Sequence, residues 1–496
     1  EADQGIAGAL VADGVRLRDN GGDGMWVVAA GSVAFHDAPG VATEVTGNGV
    51  AGFAVGFGGS AVSLVGGSFS NNLGDNIRVG AVNGQFTAKN LTANGGGRGL
   101  YLGTASAATL SGVTLDNNAG AGLELFSSAP PVNATAVVQN SSFQGNSIGA
   151  KIDGGLTTSV AISNSQFNNN TKLNANSGGQ TGVGLAVHGG IVSVDTSQFQ
   201  QNTVGAQLTE ADGSLKITTS IVSGNTSFGV KSLSTTPVDA VFNYWGSGTG
   251  PTHASNASGI GDKVSNYVEF APWASSNSFT AAAAPKVVGG NLVIGGTSSI
   301  DTITVSESST NYIVTLNGQS STFLKSTVTD HIVVYAFAGG DTVQVTAAKA
   351  AEIHGGAGND TLTGGTAKDV IWGDDGADTL WSGGGDDVLI GGAGQDELHG
   401  AGGKDILLGG DFKTGLRHND VEAYRYAALK SISSQWVGGL QDSDLTSLAD
   451  DVVDTEKDSI WGGAAADWIL GNLWSGSSPY DLLNDYNAAT DKRTSF

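Results

Sequence analysis

Apolar and polar residues alternate in short runs along most of this chain, and two registers organise the runs. The first occupies residues 15–225. Aligned on Asn20, Asn48, Asn72, Asn94, Asn118, Asn146, Asn170, Asn202 and Asn225, each repeat carries an apolar residue three positions earlier: Leu17, Val45, Phe69, Leu91, Leu115, Phe143, Phe167, Phe199 and Val222. The interval varies from 22 to 32 residues, yet the register holds nine times. Alternation between turn residues predicts strands, and a recurring turn predicts stacked coils, so the expected element is a parallel β-helix with one coil per repeat. Apolar residues then point inward and stack on their like from coil to coil. Asn suits the turn because it tolerates left-handed backbone and hydrogen-bonds locally, and stacked amides can bond one another along the axis. The long repeat at 170–202, with its NTKLNANSGGQTG insert, is expected to carry a loop without disturbing the core.

The second register is shorter and stricter. Asp falls at 360, 369, 378, 387, 396 and 405, and two positions after each comes Leu362, Ile371, Leu380, Leu389, Leu398 or Leu407. Two nine-residue units making one coil would place Asp360, Asp378 and Asp396 on one edge and Asp369, Asp387 and Asp405 on the other. Carboxylates stacked about 5 Å apart repel unless a cation lies between them. Calcium takes about six to eight oxygens, and Gly-rich turns can aim carbonyls at it, which gives roughly four sites. Ala367 and Asp374 stand where other units have Gly, so sites using those carbonyls are expected to be weaker.

Between and beyond these registers the pattern changes. Residues 275–286 read as a linker and 287–352 as a small β unit, in which Asp301 and Asp341 precede apolar alternations. In 419–437, Val421, Tyr424, Ala428, Leu429, Ile432 and Trp436 lie at helical spacing after a capping Asn419 or Asp420, and 443–452 reads as a second short helix. The expectation is a helical insertion over 413–457, packed on the roll with Trp436 buried. Asp458 and Asp467, with Ile460 and Ile469 in the apolar slots, resume the register; the tail 471–496 shows no motif. The expected fold is all-β: a parallel β-helix over 1–274, a β-roll over 353–412, and a terminal repeat and tail over 458–496.

Composition narrows the partners. The chain has 78 Gly but only 8 Pro, which excludes collagen, and 39% hydrophobic residues in alternating runs exclude simple disorder. A net charge of −24, from 46 acids against 22 bases, argues against nucleic acid or an anionic membrane as the main partner. No Cys is present, which removes disulfides and thiolate metal sites. No apolar run is long enough to span a membrane, and the first residues, EADQGIAGALVADG, lack the basic and apolar regions of a signal peptide.

The nonapeptides match GGxGxDxUx, the unit of RTX proteins, so the resemblance implies Ca2+ as the bound ion, and type I export to the cell surface or medium. The tract 240–273 resembles the closing segment of bacterial right-handed parallel β-helix repeat proteins at Asn243, Tyr244, Trp245, Gly246, Gly250, Pro251, Thr252, Pro272 and Trp273. Trp245 and Trp273 are expected to cover the last coil. Long β-helices joined to RTX repeats include alginate epimerases and polysaccharide lyases. Such epimerases carry Asp-Pro-His-Glu, whereas this chain has no Asp-Pro, and His36, Asp37 and His188 form no comparable cluster. That resemblance covers architecture only.

One column on the β-helix remains a candidate site. Alternation turns Arg78, Tyr101, Glu124 and Lys151 outward on four consecutive coils, spanning roughly 15 Å. The cations could neutralise a uronate, Tyr101 could stack on a sugar or move a proton, and Glu124 could act as base. The plainer account pairs Glu124 with Lys151 and lays Arg78 over Tyr101. The expected function is therefore a secreted or surface-attached, non-enzymatic, calcium-dependent structural protein: an adhesin, matrix or surface-layer component. It would self-assemble into oligomers or filaments through its open first coil. The alternative is a polysaccharide-modifying enzyme or passive glycan-binding module using the column.

Overall fold

The computed structural model describes residues 9–28, 31–58, 61–82, 84–126, 133–155, 157–172 and 181–412, and beyond them the strands Val452–Val453, Ser459–Trp461, Trp468–Gly471, Leu482–Leu483 and Lys492–Ser495. The chain divides into two units, Glu1–Phe270 and Ala271–Phe496. Among the described residues every element is a strand except one 3-10 turn, Lys325–Thr327.

The first unit is a parallel β-helix whose coils visit three sheets in turn. Strands such as Gln85–Lys89, Ala107–Ser111 and Thr135–Gln139 build the first sheet in parallel register. Short strands and single bridges build the second, as Glu44–Thr46 on Ser68–Ser70 and then Thr92 on Thr114 on Ser142. Ile77–Val82, Leu100–Thr104, Ala121–Leu125 and Ile148–Asp153 belong to the third. Phe143, Phe167 and Phe199 stack inside with centroids 4.9 Å apart at both steps, about one strand spacing.

The corner between the second and third sheets explains the Asn register. The residue before each ladder Asn takes the left-handed conformation, as at Asn71 (φ 57°), Asn117 (φ 60°) and Gly145 (φ 65°). The Asn itself turns inward, where Nδ2 donates to the Oδ1 of the next Asn: Asn48 to Asn72 at 2.8 Å, Asn118 to Asn146 and Asn170 to Asn202 at 3.1 Å, and Asn202 to Asn225 at 3.0 Å. Asn94 departs from this expectation. Thr92 pairs with Thr114, so the register places Gly96, not Asn94, opposite Asn118. Asn76 fills the gap, accepting from Asn72 Nδ2 at 2.9 Å and donating to Asn118 Oδ1 at 3.0 Å. The ladder ends on a carboxylate, where Asp262 Oδ2 accepts from Asn225 Nδ2 at 2.7 Å.

The closing tract behaves differently from a simple lid. Trp245 is fully buried, and Val268–Glu269 pairs beyond it with Val238–Asp239. Asn243 closes a second ladder, of serines, by accepting from the Ser220 N–H at 2.9 Å. Trp273 belongs to the second unit, where its carbonyl accepts from the Ala283 N–H.

Among the described residues, two nine-stranded sheets and one two-stranded pair make the second unit. Antiparallel pairs begin both, Lys286–Val288 on Asn291–Thr297 in one and Thr302–Glu307 on Asn311–Leu316 on Gln319–Leu324 in the other. Parallel coils follow without a break: Ile332–Phe337 pairs with Ala351–Ala357, and Thr342–Val345 with Thr361–Thr363. Residues 287–352 thus supply the first strands of the same two sheets that the nonapeptides continue. Within 275–286, Ala281 and Ala282 form bridges with Thr297 and Ala274. The six apolar residues of the register, Leu362 to Leu407, are all fully buried in one core with Ile303, Val305 and Val343.

The helical insertion expected over 413–457 is not borne out among the described residues. Its one described part, Val452–Val453, pairs antiparallel with Asp411–Phe412; β-branched Val favours an extended, paired backbone over a helix end. The stretch 419–437, Trp436 included, lies outside the described residues, as do Asp458 and Asp467. Their neighbours return in register, Leu398 opposite Ile460 and Leu407 opposite Ile469. Leu482–Leu483 and Lys492–Ser495 then add a further coil. In sequence Asp481 precedes Leu482 as Asp458 precedes Ser459, a signal in the tail that the strict nine-residue spacing hides.

Candidate functional site

On the third sheet of the β-helix, Arg78, Tyr101, Glu124 and Lys151 do form one column, each opposite the next in register. Lys151 Nζ lies 3.4 Å from Glu124 Oε1, and the Arg78 guanidinium lies 5.9 Å from the Tyr101 ring. The dominant group is one the alternation pattern does not mark. Arg98, in the corner before Leu100–Thr104, grips Asp75 with Nε and Nη2 at 2.8 Å each and reaches Glu124 Oε2 with Nη1 at 2.7 Å. Its guanidinium also covers Tyr101, 4.1 Å from the ring centroid. On the next coil Lys151 Nζ binds Asp153 Oδ2 at 2.6 Å, and His188 Nδ1 lies 3.8 Å from Asp153 Oδ1. His188 thus lies at the edge of this network, beside Asp153 at the end of Ile148–Asp153, where the pairing register shifts.

The charges of this network answer one another. Burial pulls the Arg98 guanidinium toward the neutral form, but Asp75 and Glu124 outweigh it and raise its pKa. Burial pushes the Glu124 carboxyl up, and Arg98 followed by Lys151 holds it below the ordinary value. Lys151 is raised by Asp153 and Glu124 against its own burial, while His188 is lowered chiefly by burial. A glutamate held ionised between two cations is a poor proton acceptor, and an arginine spanning two carboxylates has little left to offer a uronate.

The roll has the opposite character. Each edge Asp accepts, on Oδ1, the N–H of the residue above: Asp360 N–H to Asp378 at 2.7 Å, Asp378 to Asp396 at 2.9 Å, Asp369 to Asp387 at 2.8 Å and Asp387 to Asp405 at 3.0 Å. The edge continues upward, from Asp341 N–H to Asp360 at 2.7 Å and from Asp301 N–H to Asp341 at 2.6 Å. The second oxygens are a different matter. Oδ2 of Asp341, Asp360 and Asp378 is buried and accepts no hydrogen bond. Burial, then neighbouring carboxylates, pushes the Asp341 carboxyl up to about 6 and Asp378 up to about 8. Burial likewise raises Asp369 to about 7 and Asp387 to about 6.

Such an edge fits a hard cation. Every donor is oxygen, the orphaned carboxylate oxygens need a positive partner, and each gap is lined by backbone carbonyls. A Cβ at Gly358, Gly376 or Gly394 would run into the carbonyl of Gly339, Gly358 or Gly376 on the turn above. Among the described residues no three Asp, Glu or His side chains converge, so the ligands beyond two carboxylates fall to these carbonyls and to water.

Comparison with known families agrees with both parts. A right-handed β-helix region matches residues 6–171, and RTX calcium-binding nonapeptide repeats match 354–389, 381–412 and 454–473. The repeats are calcium-binding, and Ca2+ is the ion implied for the roll. No curated protein and no solved structure matches the chain.

Proposed function

We propose that this is a secreted or cell-surface structural protein whose β-roll is completed by calcium, held between Asp360, Asp378 and Asp396 on one edge and Asp369, Asp387 and Asp405 on the other. By their place in the sequence register, Asp458 and Asp467 are proposed as further calcium ligands. The observation that carries the reading is the row of buried carboxylates, of which Asp360 and Asp378 leave Oδ2 without a hydrogen bond: such an edge repels itself until a cation arrives. Extracellular modules bind calcium at roughly 0.1–1 mM, so the roll orders after export and stays loose in a low-calcium cytosol. Closure of the charges around Arg98 supports a scaffold role for the β-helix and disfavours the alternative of a uronate enzyme or glycan site on that column. Val11 and Trp26, exposed at 59% and 49% on the first described coil, are where self-assembly is proposed.

The test is a thermal melt followed by circular dichroism in 5 mM calcium or in excess chelator, amounts of about tenfold over the expected affinity. Calcium should raise the midpoint of one transition by about 10 °C or more. Superimposable melts would overturn the reading.

A further inference from the structure

The Asp edge runs past the nonapeptides, to Asp341 and Asp301. The turn 337–341 lacks the repeat sequence but has the repeat geometry. Phe337 (φ 78°) occupies the left-handed position of Gly356 (φ 97°) and Gly392 (φ 107°), and Gly339 (φ 146°) that of Gly358 (φ 128°) and Gly394 (φ 134°). The Gly339 N–H donates to the Ala357 carbonyl at 2.8 Å, as the Gly358 N–H does to Asp375 and the Gly376 N–H to Ala393. The carbonyls of Phe337 and Gly339 press against Gly356 and Gly358, where no Cβ could fit.

Two aspartates on this edge end differently. Asp301 is satisfied by protein: its Oδ2 accepts from the Thr297 N–H at 2.6 Å and its Oδ1 from Asn317 Nδ2 at 2.5 Å. Asp341, only 1% exposed, spends Oδ1 on the Asp301 N–H and leaves Oδ2 buried without a hydrogen bond, as does Asp360 on the turn below. The other edge offers no counterpart, because there Ala351 stands above Asp369.

We propose that a divalent cation, calcium by its oxygen-only donors, binds between the turns 337–341 and 356–360, through the Asp341 and Asp360 carboxylates and the carbonyls of Phe337 and Gly339. No ion binds between Asp301 and Asp341, where Thr297 and Asn317 take its place. The 337–341 half of this first site lies ahead of the matched repeats, so the site couples the hairpin strands to the roll. It rests on the calcium reading of the nonapeptides.

Native mass spectrometry of the full chain, loaded with calcium alone, counts the ions. Asp341→Asn keeps the Oδ1 acceptor and should hold one ion fewer than wild type, Asp360→Asn two fewer, and Asp301→Asn the same number. Equal loading of wild type and Asp341→Asn, or loss of only one ion in Asp360→Asn, overturns this site alone. A wild-type chain that takes up no calcium overturns the nonapeptide reading and this site with it.

Discussion

A single methyl group discriminates among the glycines of the roll. At Gly394 (φ 134°) a Cβ would collide with the Gly376 carbonyl, so Gly394→Ala should cost at least about 3 kcal/mol through strain and overpacking. At Gly384 the nearest atom to a Cβ is 3.7 Å away, and Gly384→Ala should stay within about 0.5 kcal/mol. Urea denaturation in calcium measures both. The carboxylates set the pH dependence. Because their folded pKa values are raised, the metal-free fold binds more protons than the unfolded chain between about pH 4 and 8, so it loses stability as pH rises through that window. Calcium needs the ionised form, so its binding should release protons and tighten from pH 6 to pH 8. Calorimetry in buffers of different ionisation enthalpy reads that release; none at pH 6 would contradict the buried-edge account. In the β-helix, Asn76→Ala should cost about 2–3 kcal/mol because it removes the acceptor of the buried Asn72 N–H and Nδ2 and a donor to Asn118, against about 1 kcal/mol for half-buried Asn94→Ala. Here the sequence misleads, since Asn94 sits at the expected interval from its neighbours while Asn76 reaches the slot from the coil before.

Elements follow alternation faithfully and corners do not. The column Arg78, Tyr101, Glu124 and Lys151 could be read because strand residues face out at every second position. Arg98 could not, because it lies in a corner and its reach to Asp75 and Glu124 depends on how coils stack. The two arginines should therefore differ in effect. Arg98→Ala leaves the Asp75 carboxylate without its cation and Glu124 with Lys151 alone, and should cost about 2–3 kcal/mol. Arg78→Ala, at an exposed ring contact, should cost under about 1 kcal/mol. The continuity of 287–352 with the roll was hidden for a similar reason. A hairpin, Asn311–Leu324, stretches the interval between Asp301 and Asp341, so the register is visible only in the pairing. Helical spacing near 443–452 gave way at Val452–Val453 because an open strand edge at Asp411–Phe412 lay within reach.

At the scale of the whole molecule, the two units are stabilised by opposite means. The β-helix pairs its buried Asn and Ser side chains with its own amides and hydroxyls along the two ladders. The roll buries carboxylates that its own groups leave half satisfied, so an external cation completes it. Hydrogen exchange read by mass spectrometry, with and without chelator, compares the two in one sample. Removing calcium should speed exchange across 355–410 by about a hundredfold or more, and leave the strands of 100–208 unchanged as an internal standard. Equal protection of 355–410 in calcium and in chelator would contradict the account.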